Sequence, residues 1–124
     1  MAMRPASAGD RGAAIVWSLS LVALLLLTGL MSAATAAQAL ARQHAALVAD
    51  VAALAGAQSE TDPCGRAAQA ASANGVQLVR CEVDGVDVSV QVSAPAPEIV
   101  VRLLGFLGRP AEDVRALARA GAPE

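Results

Sequence analysis

From Gly12 to Ala41 the chain carries no charged side chain, and from Ile15 to Met31 its residues are mostly large and apolar. About 20 such residues at 1.5 Å each span a bilayer's hydrocarbon core, so this run predicts a transmembrane helix. Ser18, Ser20 and Thr28 interrupt it at little cost, because a helix lets each hydroxyl bond back to a carbonyl one turn earlier. Trp17 stands near the N-terminal edge, where an amphipathic ring suits the membrane interface. No proline lies between Pro5 and Pro63, so the helix is expected to continue into water. There Leu40, His44, Leu47, Val51 and Leu54 recur at helical spacing as an apolar stripe. Arg42, Ala46 and Asp50 fall on a different face. The pattern predicts one helix over Gly12–Gly56, roughly 65 Å long at 1.5 Å per residue, half in the membrane and half packed on a small domain.

Beyond a linker at 58–61, Asp62 is a suitable N-cap and Pro63 a suitable first helical residue. Cys64, Ala67, Ala68 and Ala71 form a narrow face of small side chains, and Asn74-Gly75 is a helix stop. Residues 76–83 and 86–93 then flank Asp84-Gly85, the signature of a two-residue hairpin turn. That turn pairs Val83 with Val86, Cys81 with Val88, Val79 with Val90 and Gln77 with Val92. One face becomes Val79, Cys81, Val83, Val86, Val88, Val90 and Val92. The other holds Arg80, Glu82, Asp87, Ser89 and Gln91. After Pro95 and Pro97, residues 98–107 read as a short apolar helix ended by Gly108-Arg109-Pro110, covering the sheet or lying against the bilayer. Residues 112–120 fit a helix or a third strand; the alternation of Val114, Ala116, Ala118 and Ala120 with Arg115, Leu117 and Arg119 favours the strand.

The expected fold is therefore α+β: a long N-terminal transmembrane and stalk helix, a short helix, a β-hairpin and a small C-terminal α/β element. Residues 1–11 form a cytoplasmic segment, 12–57 the membrane helix continuing as a stalk, and 58–124 a small extracytoplasmic domain. The orientation rests on Arg4 and Arg11 before the apolar run against Arg42 after it, which places the N-terminus in the cytoplasm. The expected location is the cell membrane, in a single pass. A rival reading is a cleaved signal sequence, since Ala34-Thr35-Ala36 and Ala37-Gln38-Ala39 both satisfy the small-residue rule and would release a small secreted binding module after Ala36 or Ala39.

Composition narrows the chemistry. The net charge of −2 and scattered charges leave no basic footprint for nucleic acid. The chain has one Trp, one Phe and no Tyr, so stacking platforms for bases or sugars are missing. All nine basic residues are Arg. Two cysteines in an exported domain suggest a disulfide, Cys64–Cys81, joining short helix to hairpin, with two buried free thiols as the alternative. Closing a loop of about 17 residues contributes roughly 3 kcal/mol in the chain-entropy model. Their spacing is unlike the C-x-x-C of redox enzymes. His44 is the sole histidine and has no companion ligands at metal-binding spacing, so it reads as a helix-contact residue. No Ser or Cys has a base nearby, no glycine-rich loop cradles phosphate and no carboxylate pair lines a cleft. The expectation is a protein without catalysis, cofactor or metal.

Three groups of residues carry a family resemblance. They are Arg11-Gly12-Ala13-Ala14 entering the apolar helix, Arg42-Gln43-His44-Ala45 followed by Ala49-Asp50-Val51-Ala52-Ala53-Leu54-Ala55, and Cys64 with Ala73-Asn74-Gly75 and the run from Cys81 to Val90. Together they resemble the TadE/TadG-like Flp pilus-assembly proteins, closest to the small actinobacterial branch labelled helicase/secretion-neighbourhood TadE-like. The resemblance extends to about residue 93, and more loosely to Ala120. It implies a pseudopilin-like structural component of a Flp/Tad pilus or secretion machine, with other pilin-like or Tad-type subunits as partners. It also implies cleavage by a prepilin-type peptidase between Gly12 and Ala13. The family's prepilins carry Glu at the fifth residue after the cut, where this chain has Trp17. Side-by-side packing with partner helices is expected along Gly29, Ala33 and Ala37.

Overall fold

A computed structural model of the chain describes residues 8–121. Its elements are helix α1 (Ala8–Ala57), helix α2 (Pro63–Ala73), strands β1 (Gln77–Asp84) and β2 (Asp87–Ala94), helix α3 (Glu98–Phe106) and strand β3 (Val114–Ala120). The architecture is α+β, with one long apolar helix, two short helices and a three-stranded antiparallel sheet in the order β1-β2-β3. Residues 112–120 thus resolve in favour of the strand. The chain divides after Thr35 into two units, so the smaller helices and the sheet form one unit with residues 36–57 of α1.

In the first unit α1 is a helix with its large side chains outward: Ile15, Trp17, Leu19, Leu21 and Leu24 through Leu27 are all exposed. Among the described residues α1 is the one helix long and apolar enough to cross a membrane. The polar interruptions are accommodated locally. Ser20 donates to the Val16 carbonyl at 2.8 Å and Thr28 to that of Leu25 at 3.0 Å.

The second unit has a core made solely of Ala and Val. Ala45, Val48, Ala49, Ala52 and Ala53 of α1 pack with Ala67 and Ala71 of α2 and with Val76, Val88, Val90, Val92, Ala94 and Val114. The core face of α1 is thus its Ala–Val side and not the apolar stripe. Leu40, Leu47, Val51 and Leu54 point away from the sheet and are exposed, while the alanines opposite them are buried. The reason is distance: a helix approaches a sheet closely only where its side chains are short. At Gly56 the approach is tightest, since a Cβ there would lie 3.0 Å from the Pro63 carbonyl oxygen and 3.1 Å from Val88 Cγ1.

α2 begins as its sequence predicts. The Asp62 carboxylate accepts from the Gly65 N–H at 3.0 Å, and Asn74 closes the helix with its amide donating to the Ala70 carbonyl at 2.7 Å. A Cβ at Gly65 would collide with the Asp62 carboxylate, so a larger residue there displaces the carboxylate from the cap. Ala67 and Ala71 are buried as expected, whereas Ala68 is exposed.

The hairpin forms with a different register. Asp84 pairs with Asp87, Val83 with Val88 and Cys81 with Val90, leaving Gly85 and Val86 as the turn. Gly85 has φ +63°, and among the described residues no non-glycine residue has positive φ. That fits a type II′ turn with Gly first, whereas the expected turn at Asp84-Gly85 in type I′ would have needed Asp84 at positive φ. A bulge between Leu78 and Arg80 then brings Leu78 opposite Val92. It turns Leu78 toward the core and leaves Val79 exposed, so the valine face of β1 is not continuous. Val83 and Val86 are exposed as well, and β2 alone, buried at Val88, Val90, Val92 and Ala94, keeps the alternation intact.

Candidate interaction surface

The candidate site is a surface, and α1 supplies its centre. From Leu40 to Leu54 the outward positions are spaced 4, 3, 4 and 3 residues apart, the heptad spacing of helices that pack along a seam. Leu47 is 65% exposed while Ala49, two residues on, is fully buried. The helix therefore has three sectors: alanines against its own sheet, a polar sector with Arg42 and Asp50, and the outward leucine and valine row. His44 stands in that row and reaches sideways. Its ring Nε2 lies 3.2 Å from the Asn74 carbonyl oxygen, so with the proton on Nε2 it donates there and ties α1 to the end of α2. Position 44 is thereby a link between two helices of the unit.

Cys64 and Cys81, far apart in the chain, are brought together. Their Cα atoms are 5.8 Å apart and the sulfurs are bonded, so the N-terminus of α2 is stapled to the middle of β1. The remaining residues singled out in the sequence are not gathered into a site. Gly12 and Ala13 are exposed, Gly29 has open space where a Cβ would be, Ala33 is exposed and Ala37 is half-buried. Arg4 lies outside the described residues.

The outer face of the sheet is polar and internally paired. Arg119 donates to the Asp87 carboxylate at 2.5 Å, and Arg80 and Glu82 stand 3.9 Å apart. The hydrogen bond that Arg119 donates to Asp87, and then the Asp87 charge, hold the Arg119 guanidinium above its ordinary value, with desolvation opposing them and Asp84 adding to the effect. The shallow depression beside Arg119, lined by Ser89, Gln91 and Leu117, is an open surface. Among the described residues no group of three or more His, Cys, Asp or Glu is placed to hold a metal ion.

α3 is the element whose placement the sequence left open. Ile99, Val100, Leu103 and Leu104 are half-buried, but no residue of α3 is fully buried. Its C-terminal end projects: Phe106 is 92% exposed and Leu107 71%. The signal for it was present in the sequence, as an apolar pair just before Gly108.

Compared with protein-family models, with curated protein sequences and with solved structures, the chain matches none of them.

Proposed function

We propose that this chain is a non-catalytic, membrane-anchored structural or accessory component of a Flp/Tad-type pilus or secretion system, pseudopilin-like in form. Its N-terminus is cytoplasmic and its disulfide-linked domain extracytoplasmic. The observation that carries the reading is the outward row Leu40, Leu47, Val51 and Leu54, exposed on the helix that also holds the apolar run. An exposed apolar row rimmed by polar residues marks a contact surface, and heptad spacing suits a partner helix. The TadE-like residue pattern names the class of machine.

The test is copurification from native membranes with Leu47 and Leu54 both changed to Ala. Both side chains are exposed, so the fold should persist. Loss of copurifying helical subunits is expected; an unchanged set of partners would sink the reading.

A specific observation keeps the secreted reading alive as the second one. Cleavage after Ala36 or Ala39 would leave the whole Ala–Val cluster, from Ala45 onward, in the released product. Intact mass separates the two. A product beginning at Ala37 or Leu40 in the medium favours secretion, and an uncut chain, or one beginning at Ala13, in membranes favours the anchor.

A further inference from the structure

We infer that the C-terminal end of α3, Phe106 with Leu107, is a second membrane contact seated in the interface of the bilayer that α1 enters; the inference rests on the anchored reading above. The argument begins with the levels at which the sheet meets α1 inside the second unit. At one end the hairpin turn, Gly85 and Val86, lines the same depression as Leu54, Gly56 and Ala57, and Val88 is the strand residue that abuts Gly56. At the other end His44 meets Asn74, just before Gln77, which pairs with Ser93. From Gly56 back to His44 is roughly 18 Å at 1.5 Å per helical residue. From Val88 to Ser93 is roughly 17 Å at 3.3 Å per strand residue. The two lengths agree, so β2 runs antiparallel to α1 and ends at the level of His44.

Ala94 and Val114 pair at that end, and α3 lies in the connection between them. α3 therefore springs from the end of the unit at which α1 changes from Arg42 to the uncharged residues 36–41. Protein atoms also cover α1 this far toward its N-terminus, since the Gln38 side-chain oxygen is buried. Residues 36–41 run directly into the apolar stretch of the anchored reading, so the chain keeps this end of the unit within a few residues of the bilayer, and tethering raises the local concentration of any apolar side chain carried there.

The chemistry of the tip fits that position. Phe106 is the only phenylalanine in the chain and, among the described residues, the most exposed large apolar side chain, with Leu107 beside it. Gly108, at φ +72°, turns the chain away immediately afterwards. Glu98 is occupied by Arg102 at 2.7 Å, and Arg109, next to the apolar tip, has no ion pair among the described residues. An apolar pair with an adjoining guanidinium suits an acyl boundary below phosphate-bearing headgroups.

The experiment uses the full-length chain in phospholipid vesicles. In a W17F background, F106W places the only indole at the tip, and L107W repeats the measurement at the neighbouring position. The expected result is a blue-shifted emission, loss of emission when the lipids are brominated near the headgroup end of their chains, and weak quenching by acrylamide. Strong acrylamide quenching with no response to brominated lipid would overturn the inference. Shielding from acrylamide without a response to bromine would mean that protein covers the tip, and would overturn it too. Trp17 in the otherwise unchanged chain is the control for anchoring. If brominated lipid quenches Trp17 but neither tip variant, the second contact is wrong and the anchor stands. If it quenches none of them, both readings fall.

Discussion

The stretches Ile15–Met31 and Ala45–Gly56 belong to one continuous helix and use apolar residues in opposite ways. In the first, large side chains cover the surface all round and none is buried. In the second, the buried positions are Ala, Val and Gly, and the large residues are turned outward. The difference teaches that in this chain side-chain size, more than hydrophobicity, sorts inside from outside. A surface meeting lipid or a partner helix gains from every added methylene. A helix lying close on a three-stranded sheet has room only for short side chains, and its stability comes from dense contact over a small area. So small a core contributes little on its own, which gives the disulfide disproportionate weight.

Four changes would break or sharpen this contrast. Removing the staple by Cys64→Ser with Cys81→Ser should have the largest effect, about 3 kcal/mol, because loop-closure entropy returns to the unfolded chain. It is read as a lower denaturant midpoint of the domain, matched in the unaltered chain by adding reductant. Next, Ala52→Leu should cost about 1–3 kcal/mol by overpacking the helix–sheet contact; a neutral result in thermal unfolding would show that the contact is loose and the size argument wrong. Gly65→Ala should cost about 1 kcal/mol, since its Cβ displaces the Asp62 carboxylate from the α2 cap; Asp62→Ala should then add little further loss, a non-additivity that a double-mutant cycle measures. Smallest of all, Leu47→Ala should change domain stability by no more than about 0.5 kcal/mol while weakening association. The opposite result, a large stability loss, would put Leu47 inside the core and erase the distinction between the two faces.

Much of the fold was legible in local sequence. The uninterrupted helix followed from thirty uncharged residues and no proline. The limits of α2 followed from Asp62-Pro63 and Asn74-Gly75, while the alternation before Gly121 favoured a strand without excluding a helix. The failures have a common cause. Val79 was assigned to the core by its place in the alternation, and a bulge moved it out. The turn was placed at Asp84-Gly85 by its dipeptide signature, whereas the structure has Gly85-Val86. The α1 stripe stands out in the sequence because Leu carries a strong hydrophobic signal and Ala barely carries one, yet the alanines are the side that meets the sheet. For the same reason no pattern of large residues marked Ala45, Ala49, Ala52 and Ala53 as a core face.

What the sequence by itself determined is therefore the set of elements and their order: where helices start and stop, which segments alternate, and which run is apolar enough for a membrane. Those are set by backbone conformation and by contacts within a few residues. Which face of α1 meets the sheet, where the β1 bulge falls, the pairing offset of the hairpin and the exposure of Phe106 were decided by tertiary structure. Each depends on how closely two distant segments approach, and that distance is a property of the packed pair, which neither segment encodes alone.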